Sequence, residues 1–272
     1  MALNTYAKRL LTSILLLPLL ILIIYQGNGL FFNIFIIGCS IVCMKEYFFL
    51  TDKGGIPCFK KSGVFLCMGL SAMFILQKQE LIFTALICSV LILFLNTLVS
   101  SLPLSERIPR LSSTLLGLIY IPCMMGFLIL IRGLNTGKYL VFLILAIIWS
   151  GDTLAYYTGR LIGRHPLSKV ISPKKTVEGM IGGLLGSILA SLCLGPFWLP
   201  KASLASYPFI GLTVGSFGQL GDLSESVLKR WAGEKESGNI LPGHGGLLDR
   251  IDGLIFSAPV FYYLILPSIK LI

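Results

Sequence analysis

Residues 81–105 read LIFTALICSVLILFLNTLVSSLPLS, a run without one charged side chain. At about 1.5 Å of rise per residue a helix of that length crosses a hydrocarbon core about 30 Å thick. Similar charge-free or nearly charge-free runs occupy 10–26, 27–44, 62–77, 111–131, 139–159, 179–200, 202–221 and 253–269. Most meet the roughly 17 to 25 residues that a span requires; 62–77 is marginal, and Asp152 interrupts 139–159. With 55% hydrophobic residues, 12% charged residues and a mean hydropathy of +0.87, the composition lies far from that of a soluble domain. The pattern predicts an all-α, polytopic integral membrane protein with about nine transmembrane helices.

Basic residues orient the spans. With a cytoplasmic N-terminus and nine crossings, 17 of the 22 Lys and Arg residues fall inside, and only Lys78, Arg132, Lys138, Lys201 and Lys270 fall outside. That is the bias the positive-inside rule requires, and losing one span would scramble the alternation downstream. The net charge of +10 is thereby explained by orientation and by attraction to anionic lipid rather than by nucleic acid. Lys8 and Arg9 precede an apolar run as in a signal peptide, but Tyr25-Gln26-Gly27 offers no small-x-small cleavage pattern, so an uncleaved first helix is expected. The seven cysteines contain no C-x-x-C and lie mostly in apolar runs, which indicates neither a disulfide framework nor a zinc site.

Polar groups are unevenly distributed. Residues 1–135 form an N-terminal transmembrane scaffold in which Glu46, Asp52, Glu80 and Glu106 fall at helix ends or in loops and are expected to be solvated. Residues 136–272 form the catalytic transmembrane region, because there ionisable groups invade the helix ends in three places, all on the expected cytoplasmic face. Ionisable groups beside a bilayer are costly and usually serve a site.

The first place is Ser150-Gly151-Asp152-Thr153, where Asp152 is the deepest acid of the chain and shares a helix face with Tyr156. A packing role for Asp152 is the structural alternative. The second is SPKKTVEG, 172–179: Ser172 followed by Pro173 reads as a helix start, placing Lys174 and Lys175 in an N-terminal turn suited to phosphate. Ordinary positive-inside charge is the alternative for either lysine. The glycines at 179, 182, 183 and 186, and at 211, 215, 218 and 221, read as seams for close helix packing rather than as a phosphate loop.

The third place runs from 222 to 252. As a helix it puts Asp222, Glu225, Ser226 and Lys229 on one stripe; a Gly/Pro-rich loop, 238–246, follows, and then Asp249 and Asp252 at the start of the last helix. Carboxylates from the end of one helix and the start of the next can converge on a divalent cation. Oxygen donors without a His or Cys cluster favour magnesium over zinc. The loop histidines His165 and His244 are read as polar or turn-stabilising groups, with metal ligation or general-base duty as the alternative. No nucleophile paired with a base is visible.

The segment 226–252 resembles the signature of the phosphatidate cytidylyltransferases, the CDP-diacylglycerol synthases. It matches at Ser226, Leu228, Lys229, Arg230, Lys235, Gly238, Leu241, Pro242, His244, Gly245, Gly246, Leu247, Asp249, Arg250, Ile251 and Asp252, with Glu236 standing where that family usually has aspartate. GDTLAYYTGR, SPKKTVEG and GDLSES upstream are also similar. The resemblance implies the reaction of CTP with phosphatidate to give CDP-diacylglycerol and pyrophosphate in phospholipid biosynthesis, with Mg2+ and a companion monovalent cation such as K+. It implies a multi-pass enzyme of the inner membrane with its active site facing the cytoplasm, and leaves room for a homodimer. On this reading Asp222, Asp249 and Asp252 are the metal candidates. Lys229, Arg230, Asp249, Arg250 and Asp222 form the catalytic set, and Ser172, Lys174 or Lys175, Lys235, Asp152 and His244 the substrate-binding set. A CTP-dependent, polyprenol-type lipid kinase is the enzymatic rival. A transporter, the other rival, would place its ionisable groups near the midplane of two repeated halves.

Overall fold

The computed structural model describes residue 14 and residues 17–26, 29–241, 243 and 245–270. It is 78% helix and 4% strand. Residues 17–25 are helical. The later helices are α1 (Leu30–Lys53), α2 (Lys60–Ile75), α3 (Gln79–Val99), α4 (Leu104–Leu118), α5 (Met124–Arg132), α6 (Gly137–Ile162), α7 (Val177–Trp198), α8 (Ser206–Trp231) and α9 (Leu248–Lys270). Among the described residues, five helical stretches are long and apolar enough to cross a membrane: α1, α3, Leu104–Arg132, α6 and α7.

Local chemistry explains the boundaries. Helix α1 starts after Gly29, which takes a left-handed φ of 76°, and stops at Gly54, whose amide bonds back to Leu50. Pro122 has no amide to give, and the chain absorbs it in a π turn, Ile119–Cys123, that joins α4 to α5. Helix α3 buries only Ser89, Leu93 and Thr97, a stripe at four-residue spacing, and leaves Phe83, Leu91, Leu95 and Leu98 exposed. A face so continuously apolar is unfavourable in water and suits lipid.

The chain divides into two compact units, residues 1–130 with 228–250, and residues 131–227 with 251–272. The first unit packs aromatic rings onto glycines: Phe48 lies on Gly63, Tyr47 on Gly117, Phe74 on Gly126 and Trp231 on Gly54. Tyr47 satisfies its buried hydroxyl by donating to the Ser113 carbonyl at 3.0 Å. In the second unit α6 and α7 lie against each other along a seam of small residues. A Cβ on Gly182 would sit 2.1 Å from Thr158 Oγ1, one on Gly186 2.7 Å from the Ser150 carbonyl, and one on Gly151 2.5 Å from Ser187 Oγ. Gly211 and Gly215 meet Ser187 in the same way, and Gly221 meets the Asp252 carbonyl, so both glycine series are packing seams.

One local expectation is corrected. Ser172–Thr176 is not the first turn of a helix: it is strand β2, paired antiparallel with β1 (Pro166–Ser168) in a small hairpin within an otherwise helical fold. Thr176, rather than Ser172, caps α7 by accepting from the Gly179 amide at 3.1 Å. Lys174 and Lys175 therefore lie on an extended strand ahead of the helix. Pairing across the hairpin outweighs the local Ser-Pro start signal.

Candidate active site

In the first unit the chain leaves α8 at Trp231, turns through Gly233 at a φ of 70°, and returns to the start of α9. Asp249 lies in the first turn of α9 and its side chain is 7% exposed. Lys229 Nζ donates to Asp249 Oδ1 at 2.6 Å. Asp249 Oδ2 accepts from the Ser237 amide at 2.9 Å, the Ser237 hydroxyl at 3.0 Å and the Gly246 amide at 2.9 Å. The bond from residue 249 back to the amide of 246 has the form of a capping box, in which a carboxylate in the first turn satisfies an amide three residues earlier.

Burial alone would raise the Asp249 carboxyl, but Lys229 and the Ser237 and Gly246 amides outweigh it and hold the group below the ordinary carboxylate range. A depressed carboxyl contributes stability that is present above its unfolded value, about 3.9, and is lost as pH falls through the folded value, so this node weakens only in strong acid.

Sequence reasoning missed Glu46. It expects a solvated acid of the scaffold, yet Glu46 is 3% exposed. Its Oε1 accepts from the Leu247 amide at 2.9 Å, and its Oε2 from the Leu248 amide at 2.7 Å and the Ser237 hydroxyl at 3.2 Å. A signal was present: Glu46 shares the buried stripe of α1 with Cys43, Tyr47 and Leu50, whereas Lys45 is exposed. Ser237 is also fully buried, so it is not the solvent-accessible loop position a polar serine suggests.

The other expected residues of this unit lie nearby. Arg230 is exposed and reaches the Glu234 carbonyl at 3.3 Å; Lys235 and Arg250 are exposed. Glu234 pairs with Lys53 at 3.4 Å. Glu236 is exposed, and a Cβ on Gly245 would sit 3.0 Å from its Oε2 and 3.1 Å from Asp249 Oδ2. Gly245 also has a φ of 81°, so the backbone conformation favours glycine there and the space beside it is tight. His244 lies outside the described residues.

Glu236 and Asp249 should separate by mutation. An exposed carboxylate beside the loop can move by a methylene, whereas a buried, fully hydrogen-bonded one cannot. Glu236→Asp is expected to stay active, and Glu236→Ala to lose at least about ten times less activity than Asp249→Ala, since a displacement of about an ångström in a directly acting group costs on the order of a hundredfold. Equal losses in the two alanine variants would place Glu236 in direct contact with the reacting groups.

In the second unit Lys175 forms an ion pair with Asp222 of α8. Asp152 is exposed on α6, with its neighbour Gly151 on Ser187, and Lys174 is exposed on β2. Ser172 pairs with Ser168 in the hairpin. His165 pairs with Glu178, which also accepts from the Arg164 and His165 amides at 3.0 and 3.2 Å, so this histidine stabilises the turn into β1. Asp252 Oδ1 accepts from the Gly253 amide at 2.7 Å.

The candidate metal ligands are carboxylates, the donor type a hard cation requires. Among the described residues no group of three or more His, Cys, Asp and Glu forms a ready cage. That donor set fits magnesium, which takes one or two carboxylates and completes its shell with water and substrate phosphates, and does not fit a structural zinc.

The family model described as "Cytidylyltransferase family" matches residues 7–267. The chain is 33% identical to the phosphatidate cytidylyltransferase of Staphylococcus saprophyticus over 95% of its own length and 98% of that protein. Against the phosphatidate cytidylyltransferase of Staphylococcus aureus it is 33% identical, over 96% and 99%. It is 46% identical to that of Staphylococcus epidermidis over 48% of this chain and 50% of the relative. A match of this extent, on a chain that carries the Lys229 to Asp252 signature, establishes that the protein belongs to the cytidylyltransferase family.

Proposed function

We propose that the chain condenses CTP with phosphatidate, giving CDP-diacylglycerol and pyrophosphate, at the cytoplasmic face of the membrane that holds it. The observation that carries this reading is the Lys229–Asp249 pair, set in the signature segment of a chain that belongs to the cytidylyltransferase family. An oxygen of the lipid phosphate attacks the α-phosphorus of CTP; the new O–P bond forms as the bond from that phosphorus to the bridging β-oxygen breaks, and its electron pair leaves with pyrophosphate. Because no covalent enzyme intermediate is needed, catalysis reduces to bringing two polyanions together and neutralising them.

Lys229, Arg230 and Arg250, with Lys174, Lys175 and Lys235, supply the positive charge. Lys229 is restrained by Asp249 and Lys175 by Asp222, and both ammonium groups are thereby pre-oriented. Asp222, Asp249 and Asp252 are the carboxylates available to magnesium, which when bound would draw charge off the phosphates. Ser172, Asp152 and His244 complete the substrate-binding set. The decisive experiment incubates purified protein with CTP, phosphatidate and magnesium. CDP-lipid and pyrophosphate are expected; CDP with a phosphorylated alcohol would instead mark attack at the γ-phosphorus, the lipid-kinase outcome.

The reading includes nine spans, a cytoplasmic N-terminus and a site on the Lys/Arg-rich face, all supported by the distribution of basic residues. Because Ser237 is fully buried, a cysteine there would be shielded on either side. Asn239 and Lys169 are exposed and serve instead. Single cysteines at these positions, in a background lacking the native cysteines, are expected to react with impermeant thiol reagents only from the cytoplasmic side. Labelling from outside would overturn the topology.

A further inference from the structure

A buried carboxylate in a membrane protein is expensive unless its oxygens are fully engaged. Glu46 meets that condition without a cation among the described residues: its three donors are two backbone amides and one hydroxyl. A neutral residue on the preceding loop would cap α9 at lower cost. The Glu46 carboxylate instead comes from α1, 201 positions before Leu247. The chain around it is cut to fit. A Cβ on Gly246 would sit 2.8 Å from Glu46 Oε2, and one on Gly238 2.9 Å from Oε1, so both glycines allow the loop to close onto this group.

The contacts of Glu46 bracket those of Asp249. Asp249 Oδ2 is fixed by Ser237 and Gly246, while Glu46 holds Ser237 by its hydroxyl and the two residues after Gly246 by their amides. The Ser237 hydroxyl has one proton and lies 3.2 Å from Glu46 Oε2 and 3.0 Å from Asp249 Oδ2, so it ties the two carboxylates together. We infer that Glu46 is a positioning residue for the transfer reaction: it clamps Ser237, Leu247 and Leu248 from α1 and thereby sets the orientation in which Asp249 presents Oδ1 to Lys229. The inference rests on the reading that Asp249 serves nucleotidyl transfer.

The test is Glu46→Gln, which keeps the shape but offers only one acceptor oxygen to three donors, with Ser237→Ala as a milder variant should Glu46→Gln not fold. Hydrogen exchange is read at single amides of the metal-free protein in detergent. A plain helix cap would accelerate exchange only at Leu247 and Leu248. Positioning requires at least about tenfold acceleration at Ser237 and Gly246 also, whose amides bond to Asp249 and not to Glu46, with the α2 amides unchanged. In the activity arm kcat/KM should fall about 10- to 100-fold, the scale for partners that orient a directly acting ligand, and the magnesium concentration for half-activation should rise. Glu46→Asp should recover part of the loss. Exchange at Ser237 and Gly246 within twofold of the unmodified protein, or unchanged kcat/KM and magnesium requirement in a folded variant, would overturn the inference. An unmodified protein that makes no CDP-lipid would sink the functional reading, while the exchange arm would still decide whether Glu46 orients Asp249.

Discussion

Asp249→Asn is expected to remove activity by on the order of a thousandfold, the scale on which a preorganised electrostatic group acts, while the protein still elutes as a folded species in detergent. The two carboxylate oxygens of Asp249 do different work: Oδ1 faces the Lys229 ammonium and Oδ2 takes three donors from Ser237 and Gly246. An asparagine has one acceptor oxygen and one NH2. Whichever way it turns, the NH2 meets donors on one edge, and the charge available to a cation is lost in either pose. Asp222→Asn removes the charge opposite Lys175 and should have a comparable effect on turnover. Substantial turnover of either variant at ordinary magnesium would exclude that residue as an essential ligand.

How far the sequence could be read depends on how local each interaction is. The apolar run 81–105 is helical as far as Val99, because length and hydrophobicity decide it without reference to distant residues, and its last residues leave that helix at Ser100 and enter the next at Leu104. The glycine seams were legible for the same reason, since spacings of three and four define a helix face before any partner is known. The 172–176 strand was not, because its pairing with Pro166–Ser168 competes with a Ser-Pro signal that locally favours a helix start. The burial of Glu46 left a trace in its helix stripe, but its role was hidden for a stronger reason. Its partners are backbone amides about two hundred positions away, and backbone amides carry no residue identity. The burial of Ser237 was not legible either, because a serine is polar wherever it sits and only the facing carboxylates make it a buried link. Signature residues are visible in a sequence, and the group that holds them in place need not be.

Gly246→Ala is the second large effect expected, and it tests space rather than conformation. Gly243 and Gly245 of the same loop have φ of 78° and 81°, a region that disfavours any side chain, whereas Gly246 is not among the positive-φ residues described. An added methyl at 246 would lie 2.0 Å from Ser237 Oγ and 2.8 Å from Glu46 Oε2. The serine can rotate away only by giving up its bonds to Glu46 and Asp249, and Glu46 cannot retreat without releasing Leu248. Either adjustment moves the group that fixes Asp249, so one methyl should cost on the order of a hundredfold in kcat/KM, the scale of an ångström misplacement in a positioned group. Gly233→Ala is the matching control: its φ of 70° makes alanine strained, but nothing lies within 4 Å of the added carbon. That variant should lose stability, by about 1 kcal/mol or somewhat more, and keep its activity once folded. Steady-state kinetics on the two purified variants at equal folded concentration separate the cases. A Gly246→Ala enzyme with near-normal kcat/KM would mean that the loop can loosen around Ser237 without disturbing Asp249.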